Sequence, residues 1–87
     1  MRRAAKRDLT EPKIVETLEN LGFIVDRVSA PGFPDLVLSR DNRFWLAECK
    51  TGKGKLTKAQ TYFHGRHLCT VPIFRTAEDV LAWSKTV

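Results

Sequence analysis

Pro34-Asp35-Leu36-Val37-Leu38-Ser39-Arg40-Asp41-Asn42-Arg43-Phe44-Trp45-Leu46-Ala47-Glu48-Cys49-Lys50 is the stretch whose reading decides the fold. Leu36-Val37-Leu38 is a short apolar strand, Arg40 to Arg43 has turn composition, and Phe44 to Lys50 resumes as a strand, so the pair predicts a β-hairpin. Along the second strand a period of two puts Phe44, Leu46, Glu48 and Lys50 on one face and Trp45, Ala47 and Cys49 on the other. The hairpin brings Asp35, at the start of the first strand, close to the end of the strand that carries Glu48.

Working outward, Ser29-Ala30-Pro31-Gly32-Phe33-Pro34 breaks regular structure, and Phe23 to Val28 before it is rich in β-branched residues and predicts a strand. Upstream, Thr10 is a candidate N-cap, Glu11 and Pro12 suit a first helical turn, and Ile14, Leu18 and Leu21 recur at helical spacing before Gly22. A helix over about Glu11 to Leu21 follows. Residues Met1 to Asp8 form a basic N-terminal arm without periodicity, able to lie along phosphates through Arg2 and Arg3 or to remain an unstructured terminus.

Downstream of the hairpin, Thr51 to Lys55 is a glycine-basic loop, and Thr57 caps a second helix running to about His67, with Ala59, Phe63 and Tyr62 as its inward candidates. Val71 to Phe74 predicts a fourth strand, which Pro72 assigns to an edge. Thr76-Ala77-Glu78-Asp79 has the composition of a helix start, opening a final helix with Val80, Leu81 and Trp83. The order is αβββαβα, an α/β domain over residues 9–87 with no internal repeat or linker.

The chain has 87 residues, enough for one compact domain and its single small core. A large enclosed cavity is disfavoured at this size, and an open surface site for an extended partner is favoured. Fifteen Lys and Arg against ten Asp and Glu leave a net charge of +5, which suits a polyanion. Cys49 and Cys69 form neither a disulfide framework nor a zinc spacing, and no apolar run is long enough for a membrane span. A soluble, cytoplasmic protein is expected.

The chemistry converges on the hairpin's open end. Hard divalent cations such as Mg²⁺ take oxygen ligands, and Asp35, Glu48 and the Cys49 backbone carbonyl supply three. Such an ion polarises a phosphoryl oxygen and activates water, while a nearby ammonium, here Lys50, stabilises developing negative charge. Lys53, Lys55 and Lys58 lie where phosphates would approach. The competing reading is a partly buried salt-bridge cluster that neutralises itself and coordinates nothing.

Pro34-Asp35 followed by Glu48-Cys49-Lys50 resembles the PD…(D/E)xK signature of the nuclease superfamily of that name, and αβββαβ resembles its restriction-endonuclease-like core with a mixed central sheet. More closely, "EPKIVETLENLGF", "GFPDLVL", "FWLAECKTG" and "LTKAQ" are similar to the VRR-NUC family, particularly its stand-alone phage and prophage members. The resemblance implies a Mg²⁺- or Mn²⁺-dependent endodeoxyribonuclease, similar to Holliday-junction resolvases that act on four-way DNA as homodimers. It implies metal-binding carboxylates at Asp35 and Glu48 and a catalytic lysine at Lys50. It adds Glu11, binding the metal through water or orienting a water, and Gln60, placed beside the lysine near the scissile phosphate. Cys occupies the middle of the Glu48-Cys49-Lys50 motif where Val is commoner, and the loop before Leu56 is short for the family.

Other signals weigh less. Glu16 shares the first helix with Glu11 but faces elsewhere, and Glu11 is preferred on the family match. His64 and His67 are three apart on the second helix without an evident third ligand, which favours surface or DNA-contacting roles. Gly52-Lys53-Gly54-Lys55-Leu56 fails the GxxxxGK[ST] pattern, so no nucleotide cofactor is expected. Trp45 and Trp83 sit at apolar-periodic positions and are expected in the core or a dimer contact, and Cys49 as a small buried hydrophobe. Open alternatives are a nickase, a flap or restriction-like nuclease with the same site, and a non-catalytic basic DNA-binding protein.

Overall fold

The structure is a computed structural model and describes residues 8–87, so Arg2 and Arg3 lie outside the described residues. Its elements are α1 (Glu11–Asn20), β1 (Ile24–Arg27), β2 (Leu36–Arg40), β3 (Arg43–Cys49), α2 (Lys58–Arg66), β4 (Ile73–Phe74) and α3 (Ala77–Ser84). The strands form one mixed sheet in the order β1-β2-β3-β4, antiparallel across the first two pairings and parallel between β3 and β4. Short antiparallel connections suffice for the meander, whereas the parallel β3-β4 pair needs a crossover, which α2 provides.

The hairpin turn is tighter than its composition suggested. Arg40 and Arg43 already pair in the ladder, leaving Asp41 and Asn42 as a two-residue turn with φ of 53° and 66°. Two consecutive left-handed residues match the type I′ turn, whose twist suits a β-hairpin and which Asn and Asp tolerate. The turn sets the register at Leu36↔Ala47 and Leu38↔Trp45. Leu36, Leu38, Ala47 and Cys49 are therefore buried on one face.

Helices α1 and α3 pack on one another and cover that face, burying Ile14, Val15, Leu18, Phe74 and Val80. Fully burying an aliphatic side chain of this size contributes about 1.5–3 kcal/mol. Leu38→Ala, at the centre of this layer, would cost about 2–5 kcal/mol. Phe23 lies just before β1, and Trp45 and Trp83 meet it with ring centroids 5.6 and 5.4 Å away. The two tryptophans thus line the core, as their periodicity suggested.

Several local expectations need correction. Thr10 adopts helical dihedrals and makes no side-chain cap; its hydroxyl instead donates to the Lys50 carbonyl at 3.4 Å, tying the start of α1 to the end of β3. Asp8 is similarly tied, accepting from the Thr51 amide at 3.0 Å. On α2 only Gln60 and Phe63 are buried, while Tyr62 is 68 % exposed and Ala59 is exposed, because this short helix touches the sheet through a narrow stripe. Leu81 is also exposed, since Val80 and Trp83 already carry the contact of α3. Among the described residues no helix is long and apolar enough to cross a membrane.

Candidate metal and phosphate site

The register that buries Leu36 against Ala47 sets Asp35 opposite Glu48 one step beyond the last rung of the hairpin, on the face opposite the core. At that point the Cys49 amide points toward β2 with no strand residue left to receive it. The Asp35 carboxylate takes that place, accepting from Cys49 N at 2.9 Å. In an extended strand the N–H and C=O of one residue point to the same edge, so the Cys49 carbonyl also faces the Asp35 side. Asp35, Glu48 and the Cys49 carbonyl therefore lie at one strand end.

Glu48 is fully buried, and both its oxygens are engaged from α2. Gln60 Nε2 donates to Oε1 at 3.2 Å, and His64 Nε2 lies 2.9 Å from Oε2. Burial raises the Glu48 pKa from the ordinary 4.5 to about 7; the His64 hydrogen bond opposes this, and the Asp35 carboxylate adds to it through its charge and by accepting a hydrogen bond from protonated Glu48. A buried carboxylate beside a second one favours a proton on Glu48 or a cation in its place.

Gln60 is itself locked. Its side-chain carbonyl accepts from Thr57 N at 2.9 Å while its own amide donates to Thr57 Oγ1 at 3.1 Å, a capping box that opens α2. The side-chain amide group is thereby left to face Glu48. Gln60 was expected beside the lysine; both residues do line one cleft, but the direct contact of Gln60 is with the carboxylate.

Lys50 is 8 % exposed, and among the described residues its ammonium has neither an ion pair nor a hydrogen bond. It lines a cleft of about 270 Å³ together with Asp35, Gln60 and the loop from Val28 to Phe33. A lysine whose stem is largely covered while its ammonium is unpaired among the described residues offers a place for an anion. Lys53, Lys55 and Lys58 are exposed on the adjoining loop and the start of α2. Arg75 holds that loop, donating to the Gly52 and Gly54 carbonyls at 2.8 and 2.7 Å.

Glu11 and Glu16 separate cleanly. Glu16 is exposed and paired with Lys13 at 3.4 Å, whereas Glu11 is 3 % exposed and accepts from Arg27 Nε at 2.9 Å. Ligand atoms of Glu11, Asp35 and Cys49 lie within 4.8 Å of one another. Cys49 is buried in the core as expected, yet its thiol sits at the border of the site rather than remote from it. With the chain's parts in place, comparison with known proteins gives no matching family model, no matching curated protein and no matching solved structure.

Sequence reasoning missed Arg27 and passed over His64. The signal for His64 was available: Gln60 and His64 are four apart and share one face of α2, so a strand residue that meets one can meet the other. His67, by contrast, leaves that face and stacks near Phe63 with ring centroids 4.3 Å apart.

Proposed function

We propose that this chain is a divalent-metal-dependent, structure-selective DNA endonuclease of the VRR-NUC type within the PD-(D/E)xK superfamily, with that superfamily's core fold, acting as a homodimer on four-way junctions. The observation that carries the reading is Asp35 set opposite the buried Glu48 and lining one cleft with Lys50, whose ammonium has no counterion among the described residues. A carboxylate, a second carboxylate and a backbone carbonyl are hard oxygen donors, a set that fits Mg²⁺ or Mn²⁺. Glu48 keeps lone pairs for an ion beyond the two hydrogen bonds it accepts.

Bound there, the ion would polarise a phosphoryl oxygen and lower the pKa of a water. The chain's own groups do the rest. Lys50 stabilises the charge that grows on the phosphoryl oxygens as water adds to phosphorus and the bond to the leaving oxygen breaks. Gln60 and His64 hold the Glu48 carboxylate in one orientation, and Glu11 orients water on the Asp35 side. Lys53, Lys55 and Lys58 receive neighbouring phosphates, contacts that position a duplex without reading its sequence. A homodimer follows from the substrate, because paired cuts across a junction need two sites.

The double engagement of Glu48 by Gln60 and His64 also favours a second reading, a structural polar cluster in a basic DNA-binding protein. One experiment separates them. Labelled four-way, flap and linear duplex DNA are incubated with the protein, with and without Mg²⁺ or Mn²⁺, beside Lys50→Ala. The nuclease reading expects metal-dependent cutting that falls about 10²–10³-fold in Lys50→Ala while binding persists. Binding without cutting under every metal condition overturns it, and symmetric paired nicks in the four-way substrate mark it as a resolvase.

A further inference from the structure

A second depression lies beside the catalytic cleft. It encloses about 610 Å³ and shares with that cleft the wall formed by Ala30, Pro31, Gly32, Phe33 and Ala59. Its other side is aromatic and cationic: Tyr62, Phe63, Arg66 and His67, all on or just after α2. We infer that this groove is a nucleobase subsite, which takes an unstacked base of the DNA strand whose phosphate lies at Lys50, and so gives the enzyme its preference for branched over continuous duplex DNA. The inference rests on the nuclease reading for its phosphate and on the groove alone for its base.

Three observations carry it. Tyr62 is 68 % exposed and makes no ring-ring contact with another aromatic among the described residues, so its packing does not serve the core. The Arg66 guanidinium stands over the Tyr62 ring at 5.4 Å and near Phe63 at 5.7 Å, coupling a flat apolar face to a phosphate-seeking cation. The shared wall makes the two depressions neighbours, with the groove on one side and Asp35, Lys50 and Gln60 on the other. An aromatic platform with a guanidinium at its rim, continuous with a phosphate site, is the chemistry of single-strand nucleic-acid grooves.

The occupant follows from charge and access. An apolar peptide would leave the Arg66 guanidinium unanswered on a chain of net charge +5, whereas a nucleotide supplies a π face and a phosphate together. Bases inside a continuous duplex are stacked on both sides and enter only at a cost, while a single-stranded end offers an unpaired base and the pairs at an open crossover lack one stacking neighbour, so their bases leave the stack more readily. Selectivity for branched DNA then arises from what must be unstacked rather than from sequence.

The test uses full-length protein in EDTA, with a fluorescein-labelled oligothymidylate as the single-strand probe and fluorescence anisotropy as readout. Tyr62→Ala and Arg66→Ala are expected to weaken binding about ten-fold, with Tyr62→Phe retaining it. In Mg²⁺ the ratio of four-way to linear duplex cleavage is expected to fall about as much in Tyr62→Ala. Unchanged oligothymidylate affinity in both alanine variants, verified as folded by circular dichroism, overturns the inference. A shift from dimer to monomer on sedimentation without loss of affinity also overturns it, assigning the groove to a second copy of the chain. Tyr62-dependent binding with no cleavage of any substrate refutes the nuclease reading and leaves the base subsite standing.

Discussion

His64 Nε2 stands 2.9 Å from Glu48 Oε2 and is the one imidazole that touches the carboxylate cluster among the described residues. Its hydrogen bond works against the burial that raises the Glu48 pKa to about 7. Removing it leaves a fully buried carboxylate with one fewer donor, so the proton is held more tightly and a cation must compete harder for the site. His64→Ala is therefore expected to weaken Mn²⁺ binding several-fold at pH 7, measured by titration calorimetry, with the loss shrinking as the pH is raised. Equal affinity in both proteins at pH 7 would show that His64 does not support the site.

The same carboxylate shapes stability. A folded-state pKa above the unfolded value means that the folded chain holds more protons between about pH 4.5 and 7, so metal-free stability falls as pH rises through that window. Glu48→Gln keeps the size and the hydrogen-bonding partners but removes the ionisation. Relative to wild type, it is expected to gain on the order of 2–3 kcal/mol of metal-free stability between pH 5 and pH 8. Urea unfolding at the two pH values checks this; a gain that is the same at both would remove the titration argument. Saturating Mg²⁺ should narrow the difference at pH 8, since a bound cation favours the ionised wild-type carboxylate.

Much of this site was legible because it hangs on one hairpin. Alternation along Phe44 to Cys49 and the Asp41-Asn42 turn fix which residues share a face, and that register alone brings Asp35 to Glu48. The partners of those carboxylates were less legible, because they come from helices whose docking depends on tertiary contacts. Helix α2 buries only Gln60 and Phe63 in nine residues, too narrow a stripe for periodicity to orient it, so Tyr62 was expected inside and His64 outside. Thr10 misled for a different reason: a hydroxyl before a helix usually caps it by accepting from a backbone N–H, but here Thr10 has helical dihedrals and its hydroxyl is turned to donate to the Lys50 carbonyl, 40 residues away.

Gly32 is expected to tolerate no side chain. Its φ of +79° lies in the region that β-carbons disfavour, and a Cβ there would meet the Ala59 Cβ at 2.9 Å. This contact is the wall common to both depressions, where the loop before Asp35 presses on the first turn of α2. Gly32→Ala is expected to lower stability by about 1–3 kcal/mol, combining left-handed backbone strain with overpacking. Thermal unfolding measures the loss. Gly52→Ala, which also has positive φ but open space around it, should cost less.

Thr57 links the fold to the site through its hydroxyl and its backbone amide. Its hydroxyl accepts from the Gln60 amide and its own amide donates to the Gln60 side chain, which leaves Gln60 Nε2 directed at Glu48. Thr57→Ala removes the cap, at a cost of about 1 kcal/mol in stability. The backbone amide at this position still donates to the Gln60 side chain, but it does so from a helix start that has lost its hydroxyl anchor, so Mn²⁺ affinity should fall with it although Thr57 does not itself touch the Glu48 carboxylate. Thr57→Ser, which keeps the hydroxyl, is expected to restore both. The decisive comparison is Thr57→Ala against Gln60→Ala: if Gln60 transmits the effect, Thr57→Ala added to Gln60→Ala should lose stability and no further metal affinity. Additive losses of affinity in the double variant would instead mean that the cap acts on the site by another route.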